Sequence, residues 1–304
     1  MATFTRLVRF EDPNGETLYG EIGEEWEGEL KGRTVKIYEG SAPWENDFRV
    51  TEKQATISKV GRTLATRETF SVMARLMCSA GLEPTAQRSP GHWSRVELQE
   101  ACYRSRGRFR FGEATRVMLT VEQFPIPSYP VIFTKYAGKC NRMNHMQLGF
   151  RTFLQSVTDT LAGPYEDIPI SPEAKDLDYE GELSVVIGKD AKNLNASDDP
   201  FKYVLGYTTG NDVSSRHWQN AKMSGSQHGY AKSFDKFAPI GPVICSKVAI
   251  PDPGKLRLRT WVNGELRQDG STDDLIFNVG EIIRHLSRGM TLRKGTVIMT
   301  GTPR

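Results

Sequence analysis

Three carboxylates in the second half of the chain have the types and spacing to bind a cation. Glu180 and Glu182 flank one glycine just before the apolar run 183–187, and Asp212 follows in the run 206–214. The apolar run predicts a buried strand, and side chains at positions i and i+2 of a strand share one face. Grouped carboxylates resist ionisation unless a cation compensates them, and an all-oxygen set suits Mg²⁺, Mn²⁺ or Ca²⁺. The residues alone leave open a polar strand end that faces water.

The composition favours a soluble protein with a small-molecule substrate. A chain of 304 residues is long enough for one large domain or two. Its net charge of +3 is too small and too dispersed to indicate a nucleic-acid partner. No run has the apolar length needed to cross a bilayer, and the N-terminus shows no secretory signal. The cysteines, at 78, 102, 140 and 245, lack metal-ligand spacing, so we expect free thiols in a reducing compartment, cytoplasmic or mitochondrial.

The elements that must position these carboxylates lie in regions of different character. Residues 1–60 alternate short apolar runs with turn residues, which predicts a small β-rich N-terminal domain. Residues 61–159 lose this periodicity and accumulate arginine, so we expect an atypical, poorly ordered region with one strand near 127–135. Residues 160–304 form the coherent half of the chain.

Local patterns within 160–304 predict three elements. The alternating run 256–262 ends at Asn263-Gly264, a dipeptide that favours a tight hairpin turn. Residues 275–286 place apolar side chains on one helical face, and Gly289 follows where a helix would be capped. Residues 296–299 predict a further buried strand.

Several ordered motifs occur in this half of the chain: Asp178-Tyr179-Glu180-Gly181-Glu182-Leu183, Gly210-Asn211-Asp212-Val213-Ser214-Ser215-Arg216, the run 232–242, Val262-Asn263-Gly264-Glu265 and Thr300-Gly301-Thr302-Pro303. In these motifs the chain resembles the fumarylacetoacetate hydrolase superfamily, in particular its acylpyruvase-like, FAH-domain-containing members. The resemblance implies an α+β, mainly β fold, with a mixed β-roll or barrel-like catalytic domain over 160–304, and a homodimer.

The same resemblance implies roles for individual residues. Glu180, Glu182 and Asp212 match the family's metal carboxylates, which normally hold Mg²⁺ or Mn²⁺. Lys232 matches its active-site lysine, against the alternative of a solvated surface lysine. A second group matches positions near the substrate, although each could be an ordinary surface or strand-end residue: Arg216, Gln219 and Thr302.

These residues fit the chemistry of 2-oxo and 1,3-dicarbonyl acids. A divalent ion can chelate such an acid and stabilise its enolate, and Lys232 can add positive charge there. The reaction could be acylpyruvate-type C–C hydrolysis, or decarboxylation or tautomerisation of oxaloacetate. Hydrolysis also needs a base that activates water, whereas the other two reactions need only the stabilised enolate and proton delivery.

The chain departs from the family pattern at the lid. Relatives carry Asn-Tyr-x-x-His-x-x-Glu there, but Cys102, Arg106 and Phe109 stand at the Asn, His and Glu positions. Arginine cannot act as a base near neutral pH. A non-catalytic metal- or ligand-binding protein is therefore an alternative, and a structural β-domain with solvated carboxylates is a third.

The chain also ends directly after the motif 300–303, where relatives continue. We expect a C-terminally truncated catalytic domain. One hypothesis explains this end together with the unusual residues 61–124 and 136–159: an imperfect gene model with retained or misread introns.

Overall fold

The protein folds mainly into β-strands, and the computed structural model describes residues 4–23, 26, 28–63, 71–75, 128–135 and 160–303. The strands in these residues are β1 Arg6–Glu11, β2 Thr17–Glu21, β3 Thr34–Glu39, β4 Arg49–Thr56, β5 Lys59–Val60, β6 Ser71–Arg75, β7 Val131–Lys135, β8 Leu161–Ala162, β9 Leu177–Asp178, β10 Gly181–Ile187, β11 Ala191–Lys192, β12 Val204–Asn211, β13 Ser214–Ser215, β14 Ala238–Pro239, β15 Val243–Ser246, β16 Arg257–Val262, β17 Glu265–Ser271, β18 Thr291–Leu292 and β19 Val297–Met299. The α-helices are α1 Arg216–Gln219, α2 Ala221–Ser224 and α3 Val279–Ser287. Short 3-10 turns lie at Pro200–Tyr203, Tyr230–Lys232, Pro253–Lys255 and Thr272–Asp274.

One large sheet organises most of these strands. Its order is β4-β3-β2-β1-β15-β12-β10-β19-β6-β7, and β5 pairs with β1 beside this path. The pairing of β6 with β19 is parallel, and the other pairings in this sheet are antiparallel. The mainly β class is confirmed. Within the described residues the sheet does not close, because its end strands β4 and β7 do not pair with each other.

The strands of residues 1–60 continue into the rest of the sheet. β1 pairs with β15 from Arg6 opposite Cys245 to Val8 opposite Val243. The predicted β-rich character of this region is therefore observed, while a domain boundary at residue 60 stays a prediction. The predicted disorder of 61–159 concerns residues that mostly lie outside the described part, apart from 61–63, 71–75 and 128–135.

Strand β10 lies between two apolar layers. Leu183, Val185 and Ile187 belong to a cluster that includes Ile282 of α3. Val186 belongs to a second cluster on the opposite face. Both faces of the strand are covered, which explains why apolar residues occur on both of its faces, as at Val185, Val186 and Ile187. The predicted buried strands in 183–187 and 296–299 are confirmed as β10 and β19.

The predicted hairpin and helix are also present. Asn263 and Gly264 join β16 to β17 with positive φ angles of 53° and 79°, the backbone that a tight turn of this kind requires. Helix α3 starts later than its apolar pattern suggested. Asn278 caps it and exchanges hydrogen bonds with Glu281, so Leu275 packs against the core from outside the helix. Gly289, with φ of 70°, follows the helix end.

No helix in the described residues combines the length and apolar character needed to cross a membrane. Cys245 is a half-buried free thiol, and the other three cysteines lie outside the described residues.

Candidate metal centre and active site

Two adjacent strands bring the three candidate carboxylates together. Glu180 directly precedes β10, Glu182 is the second residue of β10, and Asp212 directly follows β12. β10 and β12 are antiparallel, with Gly181 opposite Asn211, so these strand ends meet. The Asp212 N–H donates to the Glu180 carbonyl at 2.9 Å and locks the junction. One carboxylate oxygen from each acidic residue lies within 4.8 Å of the others.

The carboxylates are buried, so the alternative of a strand end facing water is wrong. Glu180, Glu182 and Asp212 are exposed by 3%, 2% and 1%. Burial raises the pKa of Glu182 well above its ordinary value, and the nearby charges of Asp212 and Glu180 add to that rise. A buried carboxylate is costly unless a cation accompanies it.

Two fully buried lysines supply part of the compensation. Lys232 Nζ lies 2.8 Å from Glu180 Oε2 and 2.5 Å from Asp212 Oδ2. Lys135 Nζ lies 2.6 Å from Asp212 Oδ1 and donates to the Phe237 carbonyl at 2.5 Å. Burial lowers the pKa of Lys135, although the charge of Asp212 opposes this shift. The solvated alternative for Lys232 is therefore wrong.

Lys135 is a site residue that sequence reasoning missed. It ends β7 two positions after Phe133, so both side chains share one face of the strand, and both are buried. A lysine on the buried face of an apolar strand is unusual without a partner. That pattern was visible in the sequence, although the identity of the partner was not.

Arg216 contacts the Glu180 carboxylate oxygen that Lys232 does not contact. Its Nη1 lies 2.6 Å from Glu180 Oε1, and its Nη2 lies 2.7 Å from Asp178 Oδ2. Asp178 was not predicted as a site residue, although it stands at i−2 from Glu180. The first α-helical turn, α1, positions this arginine, and Ser215 at its N-terminus pairs with Leu177 of β9.

Gln219 lies at the other end of α1 and is also oriented by Arg216. Arg216 Nη1 donates to Gln219 Oε1 at 2.6 Å. A guanidinium group can only donate, so the amide must turn its oxygen toward Arg216. The Gln219 side-chain nitrogen is buried and has no hydrogen-bond partner among the described residues. This nitrogen is therefore available to an acceptor atom. Arg216 and Gln219, the two residues of α1 that were predicted to contact the substrate, both lie at the carboxylate cluster.

Thr302 lies at the strand end beside Glu182. Its hydroxyl donates to the Gly181 carbonyl at 2.8 Å and accepts from Gln268 Nε2 at 2.6 Å. The neighbouring Gly301 N–H donates to Glu182 Oε2 at 2.8 Å. The predicted role of Thr302 in substrate binding stays a prediction.

The donor set fits a divalent cation. In this group four buried carboxylates, at 178, 180, 182 and 212, face the buried lysines 135 and 232 and the partly buried Arg216. Glu182 is the member with no ion pair to a described residue. A hard ion held by Glu180, Glu182 and Asp212 would supply the missing positive charge through the oxygen ligands that Mg²⁺, Mn²⁺ and Ca²⁺ prefer.

A match to a protein-family model confirms the resemblance that the sequence motifs indicated. The model described as Fumarylacetoacetate (FAA) hydrolase C-terminal matches residues 132–304, which contain every candidate site residue. This chain belongs to the fumarylacetoacetate hydrolase family. The family assignment now rests on more than half of the chain, beyond the short motifs that first indicated it.

Similar proteins of known name include enzymes. "Oxaloacetate tautomerase FAHD2B, mitochondrial" of Bos taurus is 36% identical over 182 residues, which are 60% of this chain and 51% of that protein. "Fumarylacetoacetate hydrolase domain-containing protein 2 homolog" of Dictyostelium discoideum is 39% identical over 186 residues, covering 59% of this chain and 53% of that one. The chain thus spans about half the length of the curated relatives it matches.

Solved structures agree on the fold of this family member. The crystal structure of 2-hydroxyhepta-2,4-diene-1,7-dioate isomerase from Mycobacterium marinum matches 98% of this chain and 87% of that chain, with a TM-score of 0.61 and 26% identity. The likeness supports the predicted FAH-type fold.

The unusual lid positions of this family member, Cys102, Arg106 and Phe109, lie outside the described residues. His228 is described, and it lies beside the aromatic ring that Lys232 also contacts. Its ring centroid is 6.3 Å from that of Phe133, and Lys232 Nζ is 5.1 Å from the same Phe133 ring.

Proposed function

We propose that the protein is a divalent-metal-dependent enzyme acting on 2-oxo and 1,3-dicarbonyl acids, and that its reaction is the keto–enol tautomerisation of oxaloacetate. The observation that carries this proposal is the buried set of Glu180, Glu182 and Asp212 in contact with Lys232. The name of the Bos taurus relative supports the choice of oxaloacetate.

The carboxylates would hold the ion at the start of β10. A bound Mg²⁺ or Mn²⁺ would polarise the 2-oxo acid and stabilise the negative charge of its enolate. Burial strengthens such electrostatic interactions, because little water is present to screen them.

The cationic side chains would act on the organic part of the substrate. Lys232 would place positive charge beside the cluster, where it favours the enolate over the neutral keto form, and Lys135 contacts the same Asp212 carboxylate. Gln219, whose amide nitrogen has no hydrogen-bond partner among the described residues, would donate to a substrate oxygen. In tautomerisation a proton leaves C3 and one is added to the C2 oxygen, so the substrate loses and gains one proton without attack by water.

The absence of an attacking water favours tautomerisation over C–C hydrolysis as the reaction of this protein. Hydrolysis requires a general base that activates water. The lid positions that carry this base in relatives hold Arg106 and Phe109 here, and neither is a base near neutral pH. Tautomerisation also needs a group that transfers the proton between C3 and the C2 oxygen, but it needs no base that activates water.

The test is a comparison of three reactions with the same protein. Ketonisation of enol-oxaloacetate is followed by ultraviolet absorbance, decarboxylation by release of pyruvate, and hydrolysis by consumption of acetylpyruvate. We expect Mg²⁺-dependent acceleration of the first, loss of that acceleration with EDTA, and its loss in Lys232→Met. Acceleration that persists without metal, or in Lys232→Met, contradicts the proposal.

A non-catalytic ligand-binding protein is the second candidate, favoured by the altered lid positions. It predicts Mg²⁺ binding without turnover of oxaloacetate or acetylpyruvate. Metal-dependent turnover of either substrate excludes it.

We also propose a homodimer that acts on small 2-oxo acids in the mitochondrion or cytoplasm, without a nucleic-acid partner. Light scattering tests the first point, since a dimer has twice the mass of the 34.1-kDa chain. Cell fractionation tests the compartment, for which support comes from the word "mitochondrial" in the name of the Bos taurus relative.

A further inference from the structure

The side chain of Gln268, in the middle of β17, is tied to the end of the chain. Gln268 Nε2 donates to Thr302 Oγ1 at 2.6 Å and to the Pro303 carbonyl at 2.7 Å. Gln268 Oε1 accepts from Thr260 Oγ1 at 2.7 Å, across the hairpin. The two ends of the amide have different partners, so its orientation is fixed. Gln268 is half-buried, whereas its neighbours Arg267 and Asp269 are exposed.

The segment that Gln268 binds also contacts a candidate metal ligand. Gly301 donates its N–H to Glu182 Oε2 at 2.8 Å, and Thr302 donates its hydroxyl to the Gly181 carbonyl at 2.8 Å. Gly181 separates Glu180 from Glu182 in the chain. The segment 301–303 therefore joins the hairpin to the backbone and side chain of the carboxylate cluster.

Close packing at Gly181 points to the same connection independently. A Cβ atom at Gly181 would lie 2.4 Å from Thr260 Oγ1 and 2.7 Å from Gln268 Oε1. Real Cβ atoms essentially never lie this close to another atom, so a larger residue at 181 would displace the Thr260 hydroxyl or the Gln268 amide where the hairpin packs against the start of β10. The hairpin side chains thus reach the residue between the two glutamates.

We propose that Gln268 is a positioning residue for Glu182, acting through the segment 301–303. Its hydrogen bonds to Thr302 and to the Pro303 carbonyl hold this segment so that the Gly301 N–H orients the Glu182 carboxylate. A longer bond of 3.5 Å runs from the same nitrogen to the Gly181 carbonyl, and Thr260 fixes the orientation of the amide. This inference rests on the proposed metal dependence. Removal of a group that orients a metal ligand through hydrogen bonds generally lowers the metal affinity tenfold or more.

Titration of Mn²⁺ into the EDTA-treated full chain, followed by electron paramagnetic resonance, tests the proposal. Gln268→Met keeps a side chain of similar size and removes its donors and acceptor. We expect it to weaken Mn²⁺ binding about tenfold. Gln54→Met is the matched control, because Gln54 is an exposed glutamine of β4, and we expect wild-type affinity there.

A second pair of variants separates positioning from stability. Thr260→Val keeps the shape of the side chain and removes the hydroxyl, whereas Thr260→Ser keeps the hydroxyl. We expect weaker Mn²⁺ binding in Thr260→Val and near wild-type binding in Thr260→Ser. A purely structural role would lower the unfolding temperature of the metal-free variants and leave their Mn²⁺ affinity unchanged.

Each outcome decides the proposal. Wild-type affinity in both Gln268→Met and Thr260→Val overturns it while the proposed function stands. If Gln268→Met fails to fold, the Thr260 pair decides alone, and equal affinities in that pair overturn the proposal. If the wild-type chain binds no Mn²⁺, the proposed function fails and the positioning role fails with it.

Discussion

Ion pairs occur in two contrasting regions of this molecule. At the edge of the large sheet, Lys36 on β3 lies 2.9 Å from Glu52 on β4, and their side chains are 48% and 92% exposed. At the start of β10, Lys232 contacts Glu180 and Asp212 at similar distances, but its side chain is fully buried. Water screens the first pair and is excluded from the second.

The difference separates charges that suit a surface from charges that indicate a function. Exposed pairs contribute little to stability, and charge on an edge strand discourages pairing with other chains. In a buried pair each ion loses its hydration, and this desolvation offsets much of the attraction between the two charges. A protein that retains seven ionisable side chains around one largely buried cluster therefore carries them for a reason other than stability. The following variants test this comparison.

The largest effect should come from Lys232→Met. Removal of the ammonium leaves Glu180 and Asp212 without one of their buried cations, so we expect the metal-free protein to lose about 3–5 kcal/mol of unfolding free energy. Urea denaturation measures the loss. Added Mg²⁺ should stabilise this variant more than the wild type, because it supplies the missing charge. A loss below about 1 kcal/mol would mean that the lysine is not coupled to the carboxylates.

A smaller effect is expected from Gly181→Ala at the same strand end. The new methyl group would meet the Thr260 hydroxyl and the Gln268 amide, and overpacking of this kind costs about 1–3 kcal/mol. Gly61→Ala is the control, because the nearest atom to its added Cβ lies 3.5 Å away, an ordinary contact. Equal denaturation midpoints for the two variants would show that the hairpin does not press on Gly181.

The smallest effect should come from Lys36→Met. Its ion pair is exposed and screened, so we expect a urea midpoint indistinguishable from that of the wild type. Added salt should change the urea midpoints of Lys36→Met and the wild type by the same amount, because the exposed ion pair contributes little to stability. If Lys36→Met destabilises the protein as strongly as Lys232→Met, burial does not distinguish the two regions.

Local patterns in the sequence were sufficient for the elements but not for their arrangement. The apolar run of β10, the Asn263-Gly264 turn and most of α3 follow from periodicity and turn chemistry. The start of α3 depended on the cap at Asn278, which competes with the apolar pattern that includes Leu275. The neighbours of each strand, such as β1 beside β15, depend on contacts between distant residues that no local pattern records.

The candidate site divides in the same way. Glu180 and Glu182 share a strand face because of their spacing, so their convergence was predictable. Their meeting with Asp212 depended on the pairing of β10 with β12. Lys135 joins from a strand 77 residues before Asp212, and Gln268 joins from the hairpin. Partners this far apart in sequence become visible only in the folded chain.

The most direct test of the metal centre is calorimetric titration of Mg²⁺ into the EDTA-treated protein, with Glu182→Gln beside the wild type. Glutamine keeps the shape of the side chain and removes the one carboxylate of the set that forms no ion pair with a described residue. We predict binding of one Mg²⁺ per chain to the wild type and no measurable binding to Glu182→Gln. An absence of binding in the wild type, or equal binding in both proteins, would contradict a divalent-metal site at Glu180, Glu182 and Asp212.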